Sequence, residues 1–260
     1  MPKLIAITRD VSPSIVNCEL THLAREPIDV GRARTQHADY ERALEQLGCE
    51  VRRLPATDDM PDSVFIEDVA VVFDEIAVIT HPGAVSRRPE ITEVFRVLSH
   101  HRPIVQIGAP GTLDGGDVLV AGRSVFVGRS GRSNDAGIGQ LRGAIASYGY
   151  TVLATSVLGC LHLKSAITAL DDRTLLANRR WIHEKDFSGF EVVEVDPAEP
   201  MAANIVRVGN GHLYAAGFPR TLERVEKRGY AVTSVDVSEI AKAEGAVTCC
   251  SLIFVDRFRS

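Results

Sequence analysis

A β-hairpin pattern recurs along this chain of 260 residues, and this repeat constrains the fold more than any other feature. Each copy is two β-rich runs joined by a tight polar turn, as in NIVRVGNGHLYAAG, where Asn210-Gly211 is a strong hairpin signal. Four copies lie at residues 69–80, 117–128, 166–178 and 204–217. The fifth is split, because the run at 251–256 would pair with the run at 4–9. A unit completed from both ends of the chain predicts a closed ring.

A predicted helix and a further short strand follow the hairpins. These pairs lie at 90–99 with 104–107, 136–148 with 151–154, 219–228 with 231–235, and 33–47 with 51–54. The pattern indicates five strand-strand-helix-strand units of roughly 40 to 50 residues. An ordinary α/β domain with many hairpins is the alternative, but the recurring helix and last strand favour the ring. We predict an α/β, five-bladed propeller with pseudo-fivefold symmetry, forming one domain over residues 1–260.

Composition and charge argue against several classes of protein. The formal net charge is −5, so no basic excess points to a nucleic-acid partner. No apolar run approaches the ~20 residues needed to span a membrane, and the first residues lack the cleavage site of a signal peptide. The five cysteines are scattered without a C-x-x-C pair, which disfavours a disulfide framework and a zinc site. We expect a cytoplasmic protein with reduced thiols and no membrane or nucleic-acid partner.

Reactive side chains lie just before the first strand of most units. The segments concerned are FIED (65–68), LDGGD (113–117), LHLKS (161–165), PMAAN (200–204) and VTCCS (247–251). Equivalent positions of a ring meet around its axis, and the side chains expected to converge there are Glu67, Asp68, Asp114, His162 and one of two adjacent cysteines. Each alone has an ordinary reading, as a core histidine, a turn-forming aspartate or a solvated strand end. Together they match a nucleophile, its base and an orienting acid.

Strand alternation distinguishes the adjacent cysteines, Cys249 and Cys250. Cys250 shares a face with Leu252 and Phe254, where it would pack as a small hydrophobic residue. Cys249 shares the polar face with Ser251 and is predicted to be the nucleophile. The nearby acids are expected to raise the pKa of this thiol.

Six motifs run in one order from residue 65 to residue 251: FIEDVAVV, HPGAVSRR, LDGGDVLV, GRSGRSN, LHLKSAIT and VTCCS. They resemble the motifs of the dimethylarginine dimethylaminohydrolase family, part of the guanidine-modifying superfamily with the five-bladed pentein fold. The resemblance implies hydrolysis of dimethylarginine to citrulline and dimethylamine, without a metal or organic cofactor. It implies a small guanidino amino acid, dimethylarginine or monomethylarginine, as the partner. The oligomeric state stays open, a homodimer included.

The resemblance also implies a role for individual residues. Cys249 would be the nucleophile, His162 the general acid and base, and Asp114 the group that orients His162. Asp68 and Glu67 would hold the substrate guanidinium. Phe65 would be a further substrate-binding position. Arg87 and Arg132 would bind the substrate α-carboxylate, and Asp62 with the backbone carbonyls of Leu20 and Ala243 would hold the α-amino end.

Some positions depart from the family pattern. Some members carry glutamate in place of Asp114, and a shorter acid would reach the imidazole from slightly further back. Glu244 stands where aspartate is expected, and His81 where relatives have arginine. These positions would touch the edge of the pocket and bear on the substrate more than on the chemistry. Segment 12–32 lacks any periodic pattern and is predicted to be a lid loop.

Three other functions remain open at this point. Arginine deiminase performs the same chemistry on unmethylated arginine, but its relatives are longer, with a helical insertion that this chain does not show. An amidinotransferase would pass the amidino group to an amine instead of water. A non-enzymatic pentein resembling the ribosome anti-association factor would have no reason to keep Cys249, His162 and Asp114 at equivalent positions.

Overall fold

The computed structural model describes residues 3–256, whose strands form five sheets of three strands each. The strands are β1 (Lys3–Arg9), β2 (Cys49–Leu54), β3 (Ala70–Val72), β4 (Ala77–Ile79), β5 (Ile104–Gln106), β6 (Val118–Ala121), β7 (Ser124–Arg129), β8 (Thr151–Ser156), β9 (Ile167–Ala169), β10 (Thr174–Ala177), β11 (Glu191–Glu194), β12 (Ile205–Val208), β13 (Gly211–Ala215), β14 (Val232–Val235) and β15 (Leu252–Asp256). In every sheet an antiparallel pair is followed by a parallel third strand. This topology is that of the predicted repeat.

Helices make the crossovers that a parallel strand pair requires. They are α1 (Val30–Gln46), α2 (Ile91–Leu98), α3 (Asp135–Ile145), the single turn α4 (Leu163–Ala166), α5 (Pro219–Glu226) and the single turn α6 (Ser238–Ala241). The crossovers of four sheets contain α1, α2, α3 and α5. The first of them begins before the predicted residue 33, because Asp29 caps it by accepting a hydrogen bond from the backbone N–H of Arg32 at 3.0 Å.

The third sheet departs from the predicted repeat, because its crossover contains no α-helix. Two 3-10 turns, Arg179–Trp181 and Glu184–Phe187, connect β10 to β11 instead. The buried side chains of Ile182 and Phe187 hold this segment against the sheets, and the Phe187 ring lies 4.6 Å from that of Phe126 between centroids. Aromatic packing replaces the apolar face of a helix in this unit.

Strands β15 and β1 close the ring from the two ends of the chain. They pair antiparallel, from Ile7 opposite Leu252 to Lys3 opposite Asp256. The first strands of all five sheets, β3, β6, β9, β12 and β15, line one central channel with a volume of about 230 Å³. The five-bladed propeller is therefore confirmed. The predicted domain limits, residues 1 and 260, lie outside the described residues.

Apolar clusters fill the space between the sheets and the helices. In one of them Tyr40 and Leu44 of α1 pack with Leu213 of β13, and all three side chains are buried. None of the five cysteines forms a disulfide. Across residues 3–256, no helix has both the length and the apolar character needed to cross a membrane.

Candidate active site

A tight turn, helical in three of the four cases, precedes the first strand of each unit that carries a reactive side chain. These turns are Ile66–Val69, Gly115–Asp117, α4 and residues 247–250. They surround one end of the central channel, where they form an axial pocket. The predicted site residues that line this axial pocket are Asp62, Phe65, Asp68, Arg87, Arg132, His162, Ala243 and Cys249.

His162 lies between two carboxylates. Its Nε2 atom is 3.1 Å from Oδ2 of Asp114, and its Nδ1 atom is 3.8 Å from Oδ1 of Asp68. The other oxygen of Asp114 accepts a hydrogen bond from the backbone N–H of Gly83 at 2.9 Å, so this acid is fixed although it is shorter than glutamate. Burial acts to lower the pKa of His162, but Asp68 and Asp114 outweigh it and raise the pKa to about 9. The imidazole is therefore protonated at neutral pH.

Asp68 is buried, and three groups hold its carboxylate in the ionised form. Arg87 pairs with Oδ2, while the backbone N–H of Gly116 donates to Oδ1 at 3.0 Å. Burial would raise the pKa of Asp68, but the charges of His162 and Arg87 lower it below the usual value. Gly116 lies so close that a Cβ atom there would be 2.7 Å from Nδ1 of His162. The second glycine of LDGGD thus leaves space for the imidazole.

Cys249 is partly buried at the axial pocket, and Cys250 is fully buried. The two thiols differ in exposure as expected, but the cause of the difference is not the one predicted. Both cysteines lie in the turn at 247–250, two residues before β15 begins, so strand alternation does not orient them. Burial, Glu67 and Asp68 raise the pKa of Cys249 to about 12, in the expected direction.

Glu67 does not line the axial pocket, in contrast to the prediction that it holds the guanidinium together with Asp68. Its carboxylate forms an ion pair with Lys164 and accepts a hydrogen bond from Thr248 Oγ1 at 2.8 Å. These three residues line the central channel instead. The backbone N–H of Glu67 donates to the carbonyl of Cys249 at 3.1 Å. Glu67 therefore connects three turns beneath the pocket.

The two arginines predicted to bind an α-carboxylate have different surroundings. Arg87 is buried, and besides Asp68 its guanidinium binds both oxygens of Glu90, at 3.0 and 2.8 Å. It also donates to the backbone carbonyls of Asp62 and Phe65, which leaves little capacity for a substrate carboxylate. Arg132 is only partly buried and donates to Thr21 Oγ1 at 3.3 Å.

The α-amino end of a substrate was predicted to meet Asp62, Leu20 and Ala243. Asp62 is buried, and its two oxygens accept the backbone N–H of Glu19, each at 3.2 Å. Burial raises the pKa of Asp62 to about 6, against the opposing charge of Arg87. Leu20 does not line the axial pocket and packs on an apolar cluster, although the adjacent Glu19 does line it. The role of the Leu20 carbonyl stays a prediction.

Segment 12–32 crosses the rim of the axial pocket. It contains a 3-10 turn, Pro13–Asn17, and its last residues, from Val30, belong to the first turn of α1. Glu244 holds it from the opposite side, because its carboxylate accepts the backbone N–H groups of Thr21, His22 and Leu23 at 3.0, 2.5 and 2.6 Å. Glu244 thus ties this segment to the turn that follows α6.

Two buried acids were not singled out from the sequence. Oδ1 of Asp117 accepts the backbone N–H of Leu163 at 3.0 Å, and Oδ2 accepts the hydroxyl of Ser133 at 2.6 Å. Asp117 therefore fixes the residue that follows His162. Glu90 fixes Arg87. Asp117 belongs to the LDGGD motif, which could have identified it, whereas nothing in the sequence around Glu90 indicates a role at the site.

Asp68, Asp114 and His162 also place one ligand atom each within 4.8 Å of one another, a spacing compatible with a metal ion. The arrangement favours hydrogen bonding, because the imidazole contacts both acids and the cationic Arg87 is already paired with Asp68.

Comparison with known proteins gives full-length matches. The chain is 41% identical over 254 residues to N(G),N(G)-dimethylarginine dimethylaminohydrolase of Streptomyces coelicolor, covering 97% of each chain. It is 34% identical over 236 residues to the Pseudomonas aeruginosa protein of the same name, covering 90% of this chain and 92% of that one. A structure of the Pseudomonas aeruginosa enzyme, a cysteine-to-serine mutant complexed with citrulline, superimposes with a TM-score of 0.93 over 98% of this chain and 100% of that chain, at 34% identity. No family model matches the chain.

The five-bladed ring, the pocket with cysteine, histidine and acids, and these relatives together define a hydrolase with the pentein fold. The N-terminal domain of a cyanobacterial arginine dihydrolase has the same fold, with a TM-score of 0.83 at 17% identity over 96% of this chain and 97% of that domain. Among proteins with this fold, the chain belongs to the dimethylarginine dimethylaminohydrolase family.

Proposed function

We propose that this protein hydrolyses dimethylarginine and monomethylarginine to citrulline, releasing dimethylamine or methylamine. The observation that carries the proposal is the meeting of Cys249, His162 and Asp68 in one axial pocket, with Asp114 bonded to the imidazole. A guanidinium carbon is a poor electrophile, because resonance spreads its charge over three nitrogens. The site must therefore hold the cation, place a thiolate beside the carbon and supply a proton to the leaving amine.

Substrate binding uses charges of both signs. The ionised Asp68 accepts N–H bonds from the substrate guanidinium beside the Phe65 ring. Arg132 binds the α-carboxylate, while Asp62 and the carbonyls of Leu20 and Ala243 receive the α-amino group. Arg87 positions Asp68, because its own donors are occupied by Asp68 and Glu90. Glu67 stabilises the floor of the pocket.

Catalysis proceeds in two steps. In the complex the Cys249 thiol loses its proton to solvent, the Sγ atom of the resulting thiolate attacks the guanidinium carbon, and protonated His162 donates its proton to the nitrogen of the departing amine. The carbon–nitrogen bond breaks and leaves a thiouronium on the sulfur. Neutral His162 then accepts a proton from water, which attacks the same carbon and releases citrulline and the thiol. Asp114 fixes the orientation of the imidazole through both half-reactions.

The substrate itself helps to form the nucleophile. A thiol with a pKa of about 12 is almost entirely protonated at neutral pH. A guanidinium bound to Asp68 places a positive charge beside Cys249, which lowers the pKa of the thiol in the complex. The reactive ion pair thus forms where substrate is bound.

The axial pocket must widen to admit a substrate of this size. Its volume of about 20 Å³ suffices for a single water molecule. Segment 12–32 and the turn that contains Glu244 form the rim of this pocket. Opening of the pocket therefore involves the hydrogen bonds between them.

The test is citrulline release from dimethylarginine, monomethylarginine and arginine, measured in parallel with the purified protein. We expect release from both methylated substrates, slower or no release from arginine, and none with Cys249→Ser. Release only from arginine would instead indicate a deiminase, and no release from any of the three would contradict the proposed hydrolase. Transfer of the amidino group to an added amine would indicate a transferase.

We also propose that residues 1–260 act as one domain in the cytoplasm, where the five unpaired thiols stay reduced. Fractionation of the native host with detection of the protein tests this location.

A further inference from the structure

A second cavity lies beside the axial pocket. Its volume of about 540 Å³ falls in the range typical of small-molecule sites, about 300–1,000 Å³. Apolar and aromatic side chains from the loops of three units line it, among them Leu23, Trp181, Met201 and Phe218. Leu23 and Met201 are 41% and 45% exposed, so the cavity presents apolar surface to solvent. None of these four residues takes part in the proposed catalysis.

Three residues form the wall shared by the axial pocket and the second cavity: Leu161, Glu244 and Gly245. Gly245 has no side chain to move, and a Cβ atom there would lie 2.2 Å from Cε1 of Phe65. The Glu244 carboxylate is fixed by three backbone N–H groups. Leu161 therefore supplies the removable apolar side chain of this wall.

We propose that Leu161 determines specificity by limiting the size of the substituent on the substrate nitrogen, and that the second cavity is the space which larger N-alkyl groups would occupy. The proposal rests on the proposed function. His162 donates its proton to the leaving nitrogen, so the alkyl groups on that nitrogen lie beside His162. Leu161 precedes His162 in the chain and separates this position from the apolar second cavity.

The occupant of the second cavity is the alkyl group of an Nω-alkylarginine, where that group is longer than methyl. An apolar lining suits a propyl or butyl chain, and the reaction with such a substrate is unchanged: Nω-butylarginine and water give citrulline and butylamine, with the proton of His162 leaving on the amine. A pocket discriminates about 10- to 200-fold for each methylene that it cannot accommodate. The wild-type protein should therefore strongly prefer methyl over butyl substituents.

The experiment compares kcat/KM for dimethylarginine, Nω-propyl-L-arginine and Nω-butyl-L-arginine in the wild type and in Leu161→Ala. We expect the butyl-to-dimethyl ratio of kcat/KM to rise at least about tenfold in Leu161→Ala. The double variant Leu161→Ala with Ala241→Trp fills the second cavity from its exposed edge, since Ala241 lines this cavity but not the axial pocket. It should reverse the gain for the butyl substrate and retain hydrolysis of dimethylarginine.

The outcomes separate this inference from the proposed function. Wild-type protein that does not hydrolyse dimethylarginine overturns the function itself. If the wild type is active but the butyl-to-dimethyl ratio of kcat/KM is unchanged in Leu161→Ala, the role of Leu161 is overturned. If that ratio rises but Ala241→Trp does not reverse the rise, the role of the second cavity is overturned. Thermal melting shows whether the variants are folded, and Leu161→Val, which removes less volume, should give a smaller gain in the same ratio.

Discussion

The carboxylates of Glu67 and Asp68 lie on opposite sides of the floor of the axial pocket, although the two residues are consecutive. Asp68 contacts His162 and Arg87 within the axial pocket, whereas Glu67 pairs with Lys164 in the central channel. Strand geometry alone would point consecutive side chains to opposite faces, and the 3-10 turn Ile66–Val69 preserves this divergence. Asp68 therefore faces the axial pocket, where we propose that it accepts the substrate guanidinium, and Glu67 connects the turns beneath it.

Substitutions at these two positions should consequently have different effects. Asp68→Asn removes the charge that binds the guanidinium, and we expect kcat/KM to fall at least about 100-fold. Glu67→Gln leaves Lys164 without its ionic partner, and we expect it to lower the free energy of unfolding by about 3 kcal/mol, because both side chains are largely buried. Steady-state kinetics and urea denaturation measure the two effects.

The matched control is the double variant Glu67→Gln with Lys164→Met, which removes both charges. It should recover most of the stability lost in the single variant, since no unpaired charge then remains. If Glu67→Gln instead resembled Asp68→Asn in kinetics with unchanged stability, Glu67 would belong to the substrate site as first predicted.

Substitutions of the two arginines that line the axial pocket should also have different effects. Arg132→Ala should raise KM for dimethylarginine about 10- to 100-fold with a smaller change in kcat, because charge-assisted hydrogen bonds contribute about 1.5–3 kcal/mol. Arg87→Ala should lower the free energy of unfolding by about 3–5 kcal/mol, since it leaves Asp68 and Glu90 buried without a cation. An unchanged KM in Arg132→Ala would remove it from the carboxylate site.

The ring could be predicted from the sequence because the repeat is visible in local signals. Paired β-rich runs, polar turns such as Asn210-Gly211, and the split unit at both ends determine the topology without any long-range information. The crossover of the third unit could not be predicted in this way. Ile182 and Phe187 form no helical period and are stabilised by packing on residues distant in the chain, including Phe126.

The site was predictable in its location and less so in its contacts. Equivalent repeat positions bring Asp68, His162 and Cys249 together whatever the details of the turns. Whether an arginine of a loop faces solvent or is buried depends on its neighbours in space, so the sequence could not show that Glu90 and Asp68 surround Arg87. For the same reason the sequence predicted that Cys249 and Cys250 lie on a strand, whereas β15 begins two residues after Cys250.

Alkylation should distinguish the two adjacent thiols. At neutral pH we expect iodoacetamide to label Cys249 slowly, because the pKa of its thiol is about 12, and to leave Cys250 unlabelled because it is 1% exposed. Methylguanidine at millimolar concentration should accelerate labelling by placing a cation beside the thiol. Peptide mapping by mass spectrometry identifies the labelled residue and gives the rate.

Urea is the matched control for methylguanidine, since it has a similar planar shape but no charge. It should leave the rate of labelling unchanged. Equal rates with methylguanidine and without it would show that the substrate cation does not assist formation of the thiolate.

Asp62 should give kcat/KM an acidic limb near pH 6. Burial raises the pKa of this carboxyl to about 6, so it is ionised above that pH and neutral below it. Only the ionised form attracts the α-ammonium group of the substrate, and we therefore expect kcat/KM for dimethylarginine to fall as the pH decreases through about 6. The α-amino, α-carboxyl and guanidinium groups of the substrate do not titrate in this range, so the limb reports the protein. Loss of the Cys249 thiol proton adds a rise of kcat/KM with pH throughout this range, in the wild type and in the variant alike. Asp62→Asn cannot ionise, so it should have a lower kcat/KM at pH 7 and should lack the additional fall below about pH 6. An acidic limb of the same size in Asp62→Asn would assign the titration to another group and remove Asp62 from the α-amino site.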